Sequence, residues 1–196
     1  MRRVADGIQP LRHGPDTLVP MRYIAFLRAI NVGGHTVTMA RLRALFEEAG
    51  LRDVSTFIAS GNVRFETRTK DVAALEKRIE SHLGAALGFE TATLIRSLAE
   101  TQAAAALQPF GERDPNLEIA DYVGFLRGVP SDDAVAGLMR HGSAVDALAV
   151  HGRELYWRRT GPGAASKLTG NTIERALGMA ATLRNVNTVR KLAALP

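Results

Sequence analysis

Twice along this 196-residue chain the apolar residues change their spacing in the same order: a short apolar run, a helical stretch, a hairpin, a second helical stretch and a last short run. That order, βαββαβ, constrains the fold more than any other feature. A sheet must have its apolar face covered, and few topologies cover it with two intervening helices. In the first half, 22–30 reads as a buried strand. Residues 38–49 read as a helix with Leu42, Leu45, Phe46 and Ala49 on one face, Thr38 as N-cap and Gly50 as its stop. Strands at 54–59 and 63–67 flank Ser60, Gly61 and Asn62, a turn whose Gly-Asn pair accommodates positive φ. Asp71 caps a helix that carries Val72, Leu75, Ile79, Leu83 and Leu87 at helical spacing, and a strand at 91–96 closes the round.

A helix at 97–107, opened by a capping box of Ser97 and Glu100, and a loop rich in Pro, Gly and Asp lead to the second round. Here 119–127 is a strand, and Ser131, Asp132 and Asp133 open a helix ending near His141. Strands at 144–150 and 153–159 form a hairpin about His151-Gly152. Asn171 and Glu174 have the spacing of another capping box, for a short helix stopped by Gly178. Residues 180–185 make a final short strand, and 188–195 a terminal helix. The endings ATLIRSLAETQAAAAL at 92–107 and ATLRNVNTVRKLAAL at 181–195 are alike, which supports a duplicated unit. The expected fold is α/β, of the α+β kind: two ferredoxin-like βαββαβ units with antiparallel sheets plus a C-terminal helix. The first unit is expected at 21–110, and the second, with the terminal helix, at 111–196. Residues 1–20 hold arginines but no apolar run of signal-peptide length. They read as a disordered extension, or as the product of a start codon assigned too far upstream.

Composition narrows the partners. Hydrophobic residues make up 46% of the chain, enough for a core without covalent staples. The absence of cysteine excludes disulfides, thiolate catalysis and cysteine zinc sites, and fits a reducing cytoplasm. No segment approaches the roughly 18 apolar residues of a membrane span, so no membrane partner is expected. The net charge of +5 is unevenly placed: residues 151–196 carry eight basic side chains against two acidic ones, whereas 21–150 carry 14 against 16. A general nucleic-acid coat does not follow from that balance, but one basic face does.

Four separated segments, LRAINVGG at 27–34, MARLRALFEEAG at 39–50, FIASGNVRFE at 57–66 and TLRNVNTVRKL at 182–192, carry a family resemblance. In this order they resemble an uncharacterised bacterial domain-of-unknown-function family marked by an LRGINVGG-like opening and a TRNWNT-like ending. The resemblance covers nearly all of 21–196 and implies a two-part ferredoxin-like α/β fold; it implies no activity. This chain departs from the pattern at Ala29, where the family tends to have glycine, at His35 and Thr36, and at Val186, where it often has tryptophan. Any stacking role for that tryptophan is therefore not carried over.

Two strand-to-helix turns are the candidate sites. At the first, Arg28 ends an apolar strand, and Asn31, Gly33 and Gly34 line a turn whose N–H groups favour an anion. A tight connection is the structural alternative, since neither a Walker A sequence nor a GxGxxG fingerprint is present. At the second, Arg184 and Asn185 precede Asn187 and Thr188, whose residue types equally suit helix capping. If the two halves pack together, these turns meet in one cleft, with Asn62, Lys167 and Asn171 adding amides and a cation. Ser60 lacks the setting of a nucleophile. The five histidines are isolated, so no metal site is expected. Tyr156 and Trp157 beside Arg158 and Arg159 suit base stacking on a sheet, although alternation puts one of the two rings in the core.

The expected function is binding of a small anionic or phosphate-bearing ligand, nucleotides included, in a cleft between the units. Its residues are Arg28, Asn31, Gly33, Gly34, Asn62, Lys167, Asn171, Arg184 and Asn185, with no cofactor. One alternative is an RNA- or DNA-binding protein using the basic C-terminal region. The other is an enzyme acting on an anionic substrate, for which the sequence offers no poised acid and base.

Overall fold

A computed structural model describes residues 20–31, 36–58 and 61–195; Gly33, Gly34, His35, Ser60 and the extension to residue 19 lie outside the described residues. The first half comprises β1 (Met21–Leu27), α1 (Met39–Glu48), β2 (Arg52–Phe57), β3 (Asn62–Thr67), α2 (Val72–Leu87), β4 (Thr93–Ser97) and α3 (Leu98–Ala106). The second repeats the order as β5 (Ile119–Leu126), α4 (Asp132–Met139), β6 (Asp146–His151), β7 (Glu154–Thr160), α5 (Gly170–Leu177), β8 (Ala181–Asn185) and α6 (Val186–Ala193). Two four-stranded antiparallel sheets result, ordered β2-β3-β1-β4 and β6-β7-β5-β8, which is the same order in each βαββαβ unit.

Local chemistry places the helices. Thr38, Asp71, Ser97 and Ser131 each accept a backbone N–H with the side chain, and Ser97 with Glu100 completes the capping box. Two expected caps are displaced. Thr169, not Asn171, caps α5, so Asn171 lies inside the first turn. Asn185, not Asn187 or Thr188, caps α6, which starts at Val186. The strand β1 ends at Leu27 rather than Ile30, because Ala29 and Asn31 turn left-handed at φ 60° and 58°. Asn62 is not in the turn: it opens β3 and is buried, while Gly61 before it takes φ +71°. A Cβ at Gly61 would lie 3.2 Å from the Cβ atoms of Leu27 and Ile30, so only glycine lets this backbone approach β1 so closely.

Alternation along β1 sorts its residues between two cores. Tyr23, Ala25 and Leu27 face the helices α1 and α2, in a cluster with Leu42, Phe46, Leu75 and Ile79. Ile24 and Phe26 face the other way, into a cluster that contains Val123, Phe125 and Tyr156 of the second sheet and Val186, Val189 and Leu192 of α6. The two sheets thus meet face to face, with Phe26 stacked on Phe125 at a ring-centroid distance of 3.7 Å. A third cluster, with Leu138, Ile173 and Leu177, covers the far side of the second sheet. Both rings of the Tyr156-Trp157 pair are buried, one in each of these two cores. The expectation of a core ring beside a free one is corrected accordingly.

Ion pairs offset part of the basic surplus, one of them across the halves. Arg153 pairs with Glu100 at 2.7 Å and Arg158 with Asp121 at 2.8 Å, so part of the basic surplus of 151–196 is neutralised by acids of the earlier segment. Burial pushes the Asp121 carboxyl up, but hydrogen bonds from Arg158 and Arg113 outweigh it and hold the group below the usual aspartate range. A carboxyl with a lowered native pKa adds stability above its unfolded pKa, and this is lost as pH falls through the native value. Asp121→Asn is therefore expected to cost about 1–3 kcal/mol at neutral pH, the penalty of leaving charged donors without their acceptor. In urea unfolding curves that deficit should shrink as the pH is lowered through the aspartate range, where the wild type itself becomes protonated.

Candidate functional site

Where the sheets meet, the two halves place matching arginines at matching positions. Arg96 of β4 lies opposite Ile24, and Arg184 of β8 opposite Val123. Both guanidinium groups are buried between the halves. Arg96 donates from Nε to Glu154 Oε1 at 2.6 Å, from Nη1 to its neighbour Ile95 O, and from Nη2 to Leu126 O and Arg153 O. Arg184 repeats the set on the other half, from Nε to Asn62 Oδ1 at 2.6 Å, from Nη1 to its neighbour Leu183 O, and from Nη2 to Leu27 O and Gly61 O. It also donates from Nη1 to Thr182 Oγ1. All five N–H groups of Arg184 thus end on internal oxygens.

One difference separates the pair. Glu154 supplies a counter-charge to Arg96, whereas Asn62, in the corresponding place, supplies a neutral amide to Arg184. Burial lowers the Arg96 pKa and Glu154 works against that fall; at Arg184 burial alone acts and brings the pKa down to about 10.

A second matching pair lies at the ends of β1 and β5. Arg28 is held by its N–H on Ala92 O at 2.8 Å, and Arg127 by its N–H on Ala180 O at 3.1 Å. Each reaches across to the other half. Arg28 donates from Nη2 to Glu174 Oε2 at 2.5 Å and to Asn171 Oδ1 at 3.4 Å on α5. Arg127 pairs with Glu80 and, at 3.2 Å, with Glu76 on α2. Glu174 and Glu80 also accept the corresponding backbone N–H groups, of Ala181 and Thr93. Burial disfavours the charge on Arg127, but Glu80 and Glu76 outweigh it and raise its pKa. Burial raises the Glu76 carboxyl above its usual range, despite the Ile95 N–H and Arg127.

The two members differ in what they leave open. Arg127 gives both terminal nitrogens to carboxylates, whereas Arg28 gives only Nη2. Its Nε and Nη1 carry no hydrogen bond among the described residues, and its side chain is 38% exposed. They border a groove of about 750 Å³ between the halves, with Glu90 and Ala92 on one wall and Asn171, Glu174 and Arg175 on the other. A cavity of about 700 Å³ around Arg127 and Glu80 continues it, sharing Glu90 and Ala92. Arg175 is exposed and has no ion-pair partner among the described residues. Among the described residues no histidine, serine or threonine lines the Arg28 groove, whose cations can hold an anion.

Of the residues singled out from sequence, Arg28 and Asn171 meet in this groove, and Asn62 and Arg184 meet in the buried seam beside it. Arg184 reaches Leu27 O, one residue before Arg28, but its donors are already occupied. Asn31 accepts the Val37 N–H at 2.6 Å and so ties off its own loop. Lys167 lines a different cavity, with Arg140 and His141. Asn185 caps α6 at the far end of β8 from the groove. Arg96, Arg127, Glu80, Glu174 and Arg175 were not among the expected site residues. The signal that finds the matching pair is the repeat of Tyr23-Ile24-Ala25-Phe26-Leu27-Arg28 as Tyr122-Val123-Gly124-Phe125-Leu126-Arg127. The counterpart of Arg28 is thus Arg127, and that of Arg184 is Arg96.

Among the described residues no group of three or more His, Asp or Glu side chains is placed to hold a metal, and no helix is long and apolar enough to cross a membrane. A family model described as a protein of unknown function, DUF1697, matches residues 21–156. No curated protein matches the chain. Among solved structures, the chain is similar in fold to the conserved bacterial protein SP0830 from Streptococcus pneumoniae. The TM-score is 0.73 at 24% identity, over 89% of this chain and 97% of that one.

Proposed function

Because the chain belongs to the DUF1697 family, whose description assigns no function, we propose one from the seam between the halves: binding of a small anionic or phosphate-bearing ligand in the Arg28 groove. One observation carries this reading. Of two matching arginines, Arg127 is bound at both terminal nitrogens by carboxylates, whereas Arg28, among the described residues, keeps Nε and Nη1 free at an open groove. A phosphate or carboxylate there accepts from Nη1 or from Nε, which lie on different edges of the guanidinium, with the Arg175 guanidinium and the Asn171 amide beside it. The groove volume of about 750 Å³ lies within the usual range of small-ligand sites. The cysteine-free sequence fits a cytoplasmic setting for this binding. The nucleic-acid alternative has less support, since Tyr156 and Trp157 are buried and Arg153 and Arg158 are paired internally.

Thermal unfolding of the full chain with nucleotides, sugar phosphates and di- and tricarboxylates tests the reading. A ligand at about 100 times its Kd adds about 2.7 kcal/mol to the native state, a rise of several degrees in Tm. Arg175→Ala is expected to leave the unliganded Tm within about 1 °C, since surface changes rarely exceed about 0.5 kcal/mol. It is expected to remove most of the ligand-induced rise. A rise of equal size in Arg175→Ala and Arg28→Ala, or none with any ligand, contradicts it.

A further inference from the structure

On the opposite side of the second sheet from α5 lies a separate cavity of about 390 Å³, roofed by the connection after α3 and floored by β5, β7 and α6. Its walls are apolar and aromatic: Leu107, Pro109, Phe110, Val123, Tyr156 and Val186. Its rim is cationic, with Arg113, Arg158 and Arg190 against Glu112 and Asp121. The roles of these arginines differ. Arg158 is committed: it binds Asp121 through Nε and Nη2, donates to the carbonyls of Phe110, Gly111 and Glu112, and lies over the Phe110 ring at 5.4 Å. This fastens the roof to the sheet. Arg113 binds Asp121 through Nε alone, at 3.0 Å, so its two terminal nitrogens carry no hydrogen bond among the described residues. Arg190, exposed on α6, has no ion-pair partner among the described residues.

We propose that this cavity is a second binding site, for a small aromatic carboxylate: a flat ring between Phe110, Tyr156 and Val186, and a carboxylate on the free ends of Arg113 and Arg190. Two features select that class. A floor and roof of rings and aliphatic groups favour a planar apolar body, through area removed from water and offset ring stacking. Asp121 is already satisfied by two arginines, so the surplus cation faces an incoming anion, and the planar fork of arginine matches a carboxylate. A volume of about 390 Å³ accommodates one or two fused rings and excludes a dinucleotide. The site stands on different residues from the Arg28 groove, so either can fail without the other.

The full chain carries its own reporter. Trp157 is the only tryptophan in the sequence; it adjoins Tyr156, a wall of the cavity, in β7, and its ring stacks on Tyr122 on the other face of the sheet, at 4.9 Å. Titration of Trp157 fluorescence with benzoate and phenylacetate is expected to give a saturable change, confirmed by isothermal titration. Benzamide and acetate, which lack the charge and the ring in turn, are expected to bind at least tenfold more weakly. Arg190→Ala, on the surface, is expected to lower benzoate affinity about tenfold, the loss of one charge-assisted hydrogen bond. Val186→Phe, which fills the floor, is expected to abolish it. Val186→Phe is read only if its circular dichroism matches the wild type; Arg190→Ala and the benzamide comparison decide the matter otherwise. Absence of saturable benzoate binding, equal affinity for benzamide, or unchanged affinity in Arg190→Ala overturns the proposal.

Discussion

Arg96→Ala is expected to destabilise the protein by about 3–5 kcal/mol, the range for removing one partner of a buried ion pair. The substitution strips a donor from the carbonyls of Ile95, Leu126 and Arg153 and leaves the Glu154 carboxylate without its cation. The corresponding Arg184→Ala leaves only neutral oxygens, on Asn62, Thr182, Leu183, Leu27 and Gly61, so its deficit is expected to be smaller. Arg96→Ala combined with Glu154→Gln should recover part of the loss, because no unpaired charge then remains in the seam. Urea unfolding of the three variants beside the wild type measures all of this. Equal losses in the two single arginine variants would mean that the counter-charge at Glu154 contributes nothing.

Phe26→Ala is expected to cost about 3–5 kcal/mol, the usual price of emptying a buried phenyl site. Phe26 and Phe125 are both fully buried and stack across the two sheets at 3.7 Å between centroids. Each ring is the other's neighbour, so the double variant should fall short of the sum of the singles by about 0.5–1.5 kcal/mol. Near-additivity in that cycle would show that the sheets do not meet through this pair. The result also bears on the groove, since Arg28 lies two residues beyond Phe26 and the same packing sets the distance between its walls.

Much of the fold was legible, and for a physical reason. Helix caps such as Thr38, Asp71, Ser97 and Ser131 act over three or four residues, so their effect can be read locally. The two antiparallel sheets followed from the βαββαβ pattern. The errors fell where a distant partner decides. Asn171 looked like a cap because its spacing to Glu174 fits one; in the structure both face Arg28, 143 and 146 residues away. Asn62 looked like a turn residue, but it is drawn into β3 as the acceptor for Arg184, 122 residues away. Arg28 was singled out as the cation ending an apolar strand and Arg184 as a donor fork before a helix start, and both have internal partners. What could not be read without the fold is that, among the described residues, one keeps two donors free and the other none. That difference depends on whether acids or carbonyls stand opposite each guanidinium.

The account turns on a division of labour among the arginines: Arg96, Arg127 and Arg184 hold the halves together, whereas Arg28 and Arg175 take a ligand. Side-chain Nε–Hε correlation spectra of the arginines, assigned through Arg→Lys variants, observe each group separately. On titration with the anion that most raises the Tm, the account predicts saturating shifts of the Arg28 and Arg175 signals with one common affinity. The Arg184 and Arg96 signals, buried and hydrogen-bonded within the protein, should stay in place and exchange slowly with water. Saturating shifts at Arg184 without shifts at Arg28, or an unchanged Arg28 signal at ligand saturation, would contradict it.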